Sequence, residues 1–474
     1  MRSWLHASQR ASMRNGLHRG AFRWQWRSFS TSCGSETKAM LEVWAWGKGD
    51  AGQLGAEDDR NHETPHLIAR IDPPPNLHLA HMQGLSRHTP LSQLFPALDS
   101  ILSYCHTDKD SVSQQDGSLL QHKTATDSTS PPASLGISCG LFHSALLVDG
   151  ELWTWGKGEA GRLGLGSEHP KYTPTSNPYL EDVQNVALGG LHSAATTKDG
   201  FLYTWGFGGF GALGHGRYKA EFLPRRLLLS EDEDVRVTYV AGGGSHSAAI
   251  SSSGDLYTWG RDEGEGRLGH GEDLVTDEGA FNVPLQAILM PEPVVSVSCG
   301  GFFTMALAAE GKVWNWGGNA NYELGRGDNR SRCKPSIIPE IEGMHVVQIA
   351  CGGYHSAILT AEGRVLTWGR GGDGQLGHGS WDNGRTPKVV EALAHLRVAY
   401  IACGSFSTAV ITETGELYCW GKNKDHRLGF GGTMDSENVP RQVFFSREDR
   451  QLKKDAAVLA VALGARHGIA IALS

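Results

Sequence analysis

A seven-bladed β-propeller is the fold class this sequence predicts, and three observations predict it. A Trp-Gly step occurs seven times, at Trp46, Trp155, Trp205, Trp259, Trp316, Trp368 and Trp420, and the last six are 50, 54, 57, 52 and 52 residues apart. Each of the last six steps closes the same unit, two β-rich runs joined by a tight turn. The chain also starts with the second half of such a unit and finishes with the first half. Two half-units at opposite ends are explained by a ring in which the termini share one blade, because an open array would leave two unpaired edges.

The first 35 residues stand outside the repeat. They carry Arg2, Arg10, Arg14, Arg19, Arg23 and Arg27, and no acid precedes Glu36. Arg19, Arg23 and Arg27 share one helical face, with Phe22, Trp26 and Phe29 beside it. Arg-rich, acid-poor and amphipathic is the composition of an organelle transit peptide. Arg27-Ser28-Phe29-Ser30 resembles a mitochondrial processing site with cleavage ahead of Ser30. No apolar core of secretory type is present. A plastid address and a basic nucleic-acid-binding tail are the competing readings. Loss of residues 1–29, which hold six arginines and no acid, takes the net charge from −8 to near −14.

Leu41–Gly55, LEVWAWGKGDAGQLG, is the orphan second half. The next Trp-Gly follows 109 residues later, twice the period, with no repeat signature between. An insertion is therefore expected from about His66 to Ser134. Its Thr107–Ser134 part is polar, rich in Ser, Thr, Gln and Asp, and too poor in apolar groups to offset ordering entropy, so it reads as disordered.

The six full units run from Ile137 to Gly429, and the first is the clearest: GISCGLFHSALLVDGELWTWGKGEAGRLG, Gly136–Gly164. The turns read as two-residue steps at Asp149-Gly150, Asp199-Gly200, Gly254-Asp255, Glu310-Gly311, Glu362-Gly363 and Thr414-Gly415, which makes each pair of runs a hairpin. No helical periodicity of ten or more residues competes. Leu459–Leu473, LAVALGARHGIAIAL, is the closing half-unit.

Composition agrees with an array of turns and excludes other classes. Glycine is 62 of 474 residues, about twice the usual share, without a collagen period. No apolar run reaches the ~18 residues of a membrane helix. The eight cysteines include no C-x-x-C pair. Cys139, Cys299, Cys351 and Cys403 share one repeat position and read as small buried hydrophobes in a reducing compartment.

Several motifs imitate chemistry. G-x-G-x-x-G occurs four times, at Gly47–Gly52, Gly156–Gly161, Gly206–Gly211 and Gly369–Gly374, but a dinucleotide fingerprint must open a helix, whereas here Leu-Gly and another turn follow. His62-Glu63-Thr64-Pro65-His66 has zincin spacing, but Pro65 opposes the helix that zinc would need, so the stretch reads as a polar loop. His143, His192, His246, His355 and His467 share one position, and each imidazole is expected to bond backbone within its own blade. The repeated tryptophans are expected to pack between blades. Arg326, Arg330, Arg332 and Lys334 form the densest basic loop, with Arg225-Arg226 and Arg447–Lys454 as others. The first of these is the candidate RNA or partner face. No catalytic, cofactor-binding or metal-binding residue is assigned.

The unit resembles the regulator of chromosome condensation repeat, CGxxHSxxL…DGxLWxWGxGxxGxLGxG, which Cys139–Gly166 matches almost position by position. The likeness covers about 41–55 and 137–473. Phe303 and Ser407 replace the histidine, and Tyr322 and His426 replace a loop glycine. The resemblance implies a seven-bladed propeller and, with the leader, a plant or algal mitochondrial member. Such members act in organelle gene expression, including splicing of a transcript for an NADH dehydrogenase subunit, and so in respiratory complex I assembly. The expectation is a non-enzymatic scaffold in the mitochondrial matrix that holds protein or ribonucleoprotein partners. The alternative is guanine-nucleotide exchange on a small GTPase, as the founding nuclear member performs for Ran. Ultraviolet-B photoreceptors of the family carry tryptophan two residues before the repeat histidine. Here those positions hold Leu141, Gly190, Gly244, Gly301, Gly353, Ser405 and Ala465, which argues against light sensing.

Overall fold

In the computed structural model, residues 40–73, 77–79, 133–230, 235–262, 265–271, 280–286, 290–445 and 456–474 are described. The expected transit peptide, most of the insertion and the basic run Arg447–Lys454 lie outside them. The described residues belong to one compact unit, Lys38–Ser474.

The chain opens with β1 (Leu41–Gly47) and β2 (His62–Ile71), then the short β3 (Leu77–Leu79). Blade one is β4 (Ala133–Cys139), β5 (His143–Val148), β6 (Glu151–Gly156) and β7 (Lys171–Ser176). Blade two is β8 (Val183–Leu188), β9 (His192–Thr197), β10 (Leu202–Gly206) and β11 (Glu221–Leu227). Blade three is β12 (Val237–Gly242), β13 (His246–Ser251), β14 (Leu256–Arg261) and β15 (Ala280–Gln286). Blade four is β16 (Val294–Cys299), β17 (Phe303–Ala308), β18 (Val313–Gly317) and β19 (Arg332–Ile337). Blade five is β20 (Val346–Cys351), β21 (His355–Thr360), β22 (Val365–Gly369) and β23 (Gly384–Val389). Blade six is β24 (Val398–Cys403), β25 (Ser407–Thr412), β26 (Leu417–Lys422) and β27 (Ser436–Val443). The chain closes with β28 (Ala457–Leu463) and β29 (His467–Leu473).

Blade seven joins the two ends, in the order β2-β1-β29-β28. β1 pairs antiparallel with β29 in continuous register from Leu41↔Leu473 to Gly47↔His467. Beyond the strands, Met40 and Ser474 exchange backbone hydrogen bonds of 3.0 Å in both directions. The predicted ring of seven blades, clasped by its first and last segments, is the observed fold.

Two expectations need correction. β2 continues through Ile71, past the expected start of the insertion, because the blade needs a fourth strand opposite β1. The segment after it returns as β3, parallel to β4, and makes blade one five-stranded. The hairpin turns also differ. Only Asp149-Gly150 is a two-residue turn, with Val148 paired to Glu151 and positive φ at both residues (46° and 85°). Elsewhere the strands close one residue further out, as in the Ala308 N–H to Lys312 carbonyl bond, and Gly311 alone takes the left-handed conformation. That is the three-residue loop in which a type I turn ends on glycine, and sequence spacing alone does not separate the two.

The outermost strands carry a device the repeat pattern did not reveal. Each holds one proline, Pro65, Pro174, Pro224, Pro284, Pro335, Pro387 or Pro440, at a register break in the pairing with its inner neighbour. Proline cannot donate to a further strand, so the seven outer edges resist pairing with foreign chains.

Candidate interaction face

The ring is held by one clasp repeated from blade to blade. In blade one the His143 Nε2 atom lies 3.0 Å from the Ser193 hydroxyl of blade two. That hydroxyl donates to the Arg162 carbonyl at 2.8 Å, and the Trp205 indole donates to the same carbonyl at 3.0 Å. Because the hydroxyl proton is committed to Arg162, the imidazole must donate through Nε2–H and leave Nδ1 bare. The clasp recurs from His192 to Ser247, His246 to Thr304, His355 to Thr408 and His467 to Ser144, at 2.8–3.0 Å. The histidines therefore bond the next blade, not backbone of their own. All five are buried, and burial holds them neutral: His192 is pushed down to about 4, His355 and His467 to about 3, and His143 and His246 well below the usual value.

Phe303 and Ser407 interrupt the clasp, and the partners adapt. Opposite Ser407, blade seven has Gly468 in place of a hydroxyl residue; opposite Phe303, Ser356 keeps only its bond to the Glu323 carbonyl, 2.9 Å. The seven Trp-Gly tryptophans are fully buried, and six donate to the preceding blade's loop carbonyl. They pack between blades as expected and also lock them.

The same loops build a surface. In every blade, the residue after Trp-Gly donates its N–H to the carbonyl of the residue before the histidine position. The pairs are Lys48/Arg466, Lys157/Phe142, Phe207/Leu191, Arg261/Ser245, Gly318/Phe302, Arg370/Tyr354 and Lys422/Phe406, at 2.8–3.0 Å. Two side chains per blade, or one in blade four where Gly318 has none, thus stand on one face around the axis. In blades five, six and one the pair joins an aromatic ring to a cation, and in blade seven both members are cations. Phe302, Tyr354 and Phe406 form a row of part-exposed rings with centroids 5.8 and 5.6 Å apart. Lys422 lies 5.0 Å from the Phe406 ring centre, Arg370 5.7 Å from it and 5.8 Å from Tyr354, and Arg267 4.8 Å from Phe302. Lys157 and Arg466 flank Phe142 at 5.5 and 6.0 Å.

Acids partly balance this sector. Asp373 serves both Arg370 (3.3 Å) and Lys422 (3.1 Å), and Asp425 both Arg427 (3.3 Å) and Arg466 (3.9 Å). Glu159 serves Lys157 (2.9 Å) and Arg162 (3.5 Å), while Asp50 holds Lys48 at 2.9 Å. Seven cations therefore share four carboxylates, which leaves the sector positive on a chain whose net charge is −8. Beside it, at the ring axis, is a depression of about 340 Å³ lined by the inner loops of all seven blades, among them Gly190, Gly301 and Gly353. The positions where a photoreceptor would carry tryptophan line this depression.

The sequence-predicted basic loop is placed elsewhere and divides. Arg326 turns inward, its guanidinium bonding the Ile337 and Ser336 carbonyls and the Asn315 side chain. Arg332 bridges to Asp328 at 2.7 Å, so it is half committed, whereas Arg330 and Lys334 are exposed. Arg225 pairs with Glu221, and Arg226 lies over the Phe201 ring. The His62–His66 stretch lies in strand β2 and not in a loop, with the two imidazoles stacked at 4.3 Å. Each G-x-G-x-x-G copy is a loop of positive-φ glycines, such as Gly156 and Gly161 in the first full unit. Cys139, Cys299, Cys351 and Cys403 are free thiols near the axis; burial raises all four, and three of them donate to carbonyls of the preceding blade. The aromatic-and-cation face was missed because its residues occupy the variable positions of CGxxHS. A comparison of the residue before each histidine would have found Phe142, Phe302, Tyr354 and Phe406.

Comparison with known proteins gives consistent results. A family model described as RCC1-like domain matches residues 108–470, and one described as regulator of chromosome condensation (RCC1) repeat matches residues 42–80. The chain is 44% identical to the mitochondrial RCC1 domain-containing protein RUG3 of Arabidopsis thaliana, over 91% of this chain and 88% of that one. It is 32% identical to the ultraviolet-B receptor UVR8 of the same plant, over 74% of this chain and 78% of that one. Among solved structures, human WBSCR16 aligns with a TM-score of 0.66 at 21% identity, covering 91% of this chain and 98% of that one. Prp20p of Saccharomyces cerevisiae, described with its binding to Gsp1p and histones, aligns at 0.68 and 18% identity, covering 91% of each. Both structural likenesses concern the fold.

Proposed function

The chain belongs to the regulator of chromosome condensation repeat family, and from that premise we propose that it is a non-enzymatic propeller scaffold in mitochondrial gene expression. Its role in this reading is organelle RNA splicing or processing that supports respiratory complex I biogenesis. The observation that carries the proposal is the near full-length match to a mitochondrial member, 44% identical across 91% of this chain. The Arg-rich, acid-free start of the sequence supports the same address, the matrix. Rigid blades that present loops on a face favour docking, which is what a scaffold needs. The histidines that could have served as bases are buried, neutral and committed to the clasp.

Knocking out the gene tests the proposal. An unspliced transcript for an NADH dehydrogenase subunit, with loss of complex I activity, is the expected result. Normal organelle transcripts overturn it. Affinity purification from isolated mitochondria, with and without RNase, separates partners held by protein from those held through RNA. Nucleotide exchange on a small GTPase is the alternative. The likeness to Prp20p, at 18% identity, concerns the fold and not this activity. Accelerated nucleotide release from a mitochondrial GTPase by the purified chain would favour it.

A further inference from the structure

The geometry points to the face formed by blades five, six, seven and one as a binding surface for single-stranded RNA, with Tyr354, Phe406 and Phe142 as base platforms and Arg370, Lys422 and Arg466 as phosphate contacts. This rests on the scaffold reading and names the partner of its face.

Three features carry the inference. The rings are presented, not buried: Phe302, Tyr354 and Phe406 are part-exposed at the rim of the depression and Phe142 is part-exposed beside Arg466, although the strand that follows each of them is fully buried. Their backbone is fixed by the loop pairs described above, so little conformational freedom is lost on binding. Each ring also has a cation within 6.0 Å, and Arg370, Lys422, Arg466 and Lys157 retain access to solvent, exposed by 31–43%. Aromatic platforms interleaved with cations on a groove are the combination that binds single strands without strong sequence preference.

An acidic protein surface is the rival occupant. It would use the cations and leave the row of rings idle. The charge sharing favours a polyanion of either kind, since three carboxylates each serve two cations. The aromatic row decides for nucleic acid. Duplex RNA is disfavoured, because its bases are stacked on each other and offer no free face to Tyr354 or Phe406.

The test uses the full chain and a fluorescein-labelled single-stranded RNA of mixed sequence, about 16 nucleotides long, read by anisotropy. The single strand should bind, and duplex RNA of equal length should compete poorly. Y354A/F406A should weaken binding at least about tenfold, Y354F should not, and K422Q should lower the slope of log affinity against log salt by about 0.7. R370Q/K422Q serves as a second probe if the aromatic double variant fails to fold, judged by its melting midpoint. No binding by the parent, parental affinity in Y354A/F406A, or displacement of RNA by polyglutamate with no effect of the ring substitutions would each overturn the inference. The last result would assign the face to an acidic protein. Failure here leaves the knockout result untouched. Normal transcripts in the knockout would remove the scaffold role while RNA binding at this face stayed measurable.

Discussion

Acidification should loosen the ring through the five clasp histidines, by an amount the structure allows to be worked out. Each imidazole is buried and donates from Nε2 to a hydroxyl whose own proton is already committed, so a second proton at Nδ1 would place an unpartnered charge in the core. The folded-state values are depressed, to about 4 for His192 and about 3 for His355 and His467, while the unfolded value is about 6.5. With the folded value below the unfolded one, the unfolded chain binds more protons as pH falls. Stability is therefore complete above about pH 6.5 and declines toward pH 3–4. Between pH 7.5 and 5.5 each of His192, His355 and His467 should cost about 1 kcal/mol, and His143 and His246 act in the same direction. His215, His270 and His378, lowered chiefly by burial, act in the same direction. Urea unfolding across this range measures the loss. H355F isolates one member, since Phe303 already occupies the same position in blade four with complete burial. The variant should lose about 1 kcal/mol less than the parent over the two pH units. A parent whose stability is level from pH 7.5 to 5.5, or a variant with the parental pH dependence, would refute the reasoning.

Other consequences can be measured on the same preparation. W420F removes the indole bond to the Gln375 carbonyl, 2.9 Å, and should cost about 1 kcal/mol by urea unfolding, whereas W420A should cost about 4 kcal/mol. G352A places a methyl group 2.3 Å from the His355 ring and 2.7 Å from the Gly404 carbonyl, and should cost about 1–3 kcal/mol. A chain ending before Ala456 lacks β28 and β29, which leaves β1 without its inner neighbour; gel filtration should find it aggregated, not monomeric. P224T restores a donor on the outer edge of blade two and should raise the aggregation rate on mild heating, followed by light scattering.

The ring and its closure were legible because they depend on residues that recur. Trp46 to Trp420 mark the third strand of each blade, and the half-units ending at Gly55 and beginning at Leu459 can only complete one another. The clasp was not legible. Recurrence identifies His143 and Ser193 as members of two series, but not that the first reaches into the next blade, 50 positions on. Only the sheet geometry brings them together. The pairing of Ser407 with Gly468 is the one trace of that contact in the sequence. The outer prolines were hidden for another reason: Pro65 shows in sequence what it forbids, a helix, and not what it protects, an edge. The face of rings and cations was hidden because matching repeats favours positions that stay the same, whereas Phe142, Tyr354 and Arg466 lie where the copies differ. The basic loop at Arg326 was the converse case, a density of charge in sequence that the fold spends largely on itself.

Joining the first strand to the last imposes a schedule on synthesis. β1 is buried along its whole length in the finished protein, yet the partner of Met40 lies 434 residues away. At about 5–20 residues per second, that strand waits roughly 20–90 seconds before its inner neighbour exists. Through that interval the newborn polypeptide displays a largely apolar seven-residue ribbon with one flank open. The first strand can therefore be covered on both flanks only once the six full blades between the two ends and the closing strands exist.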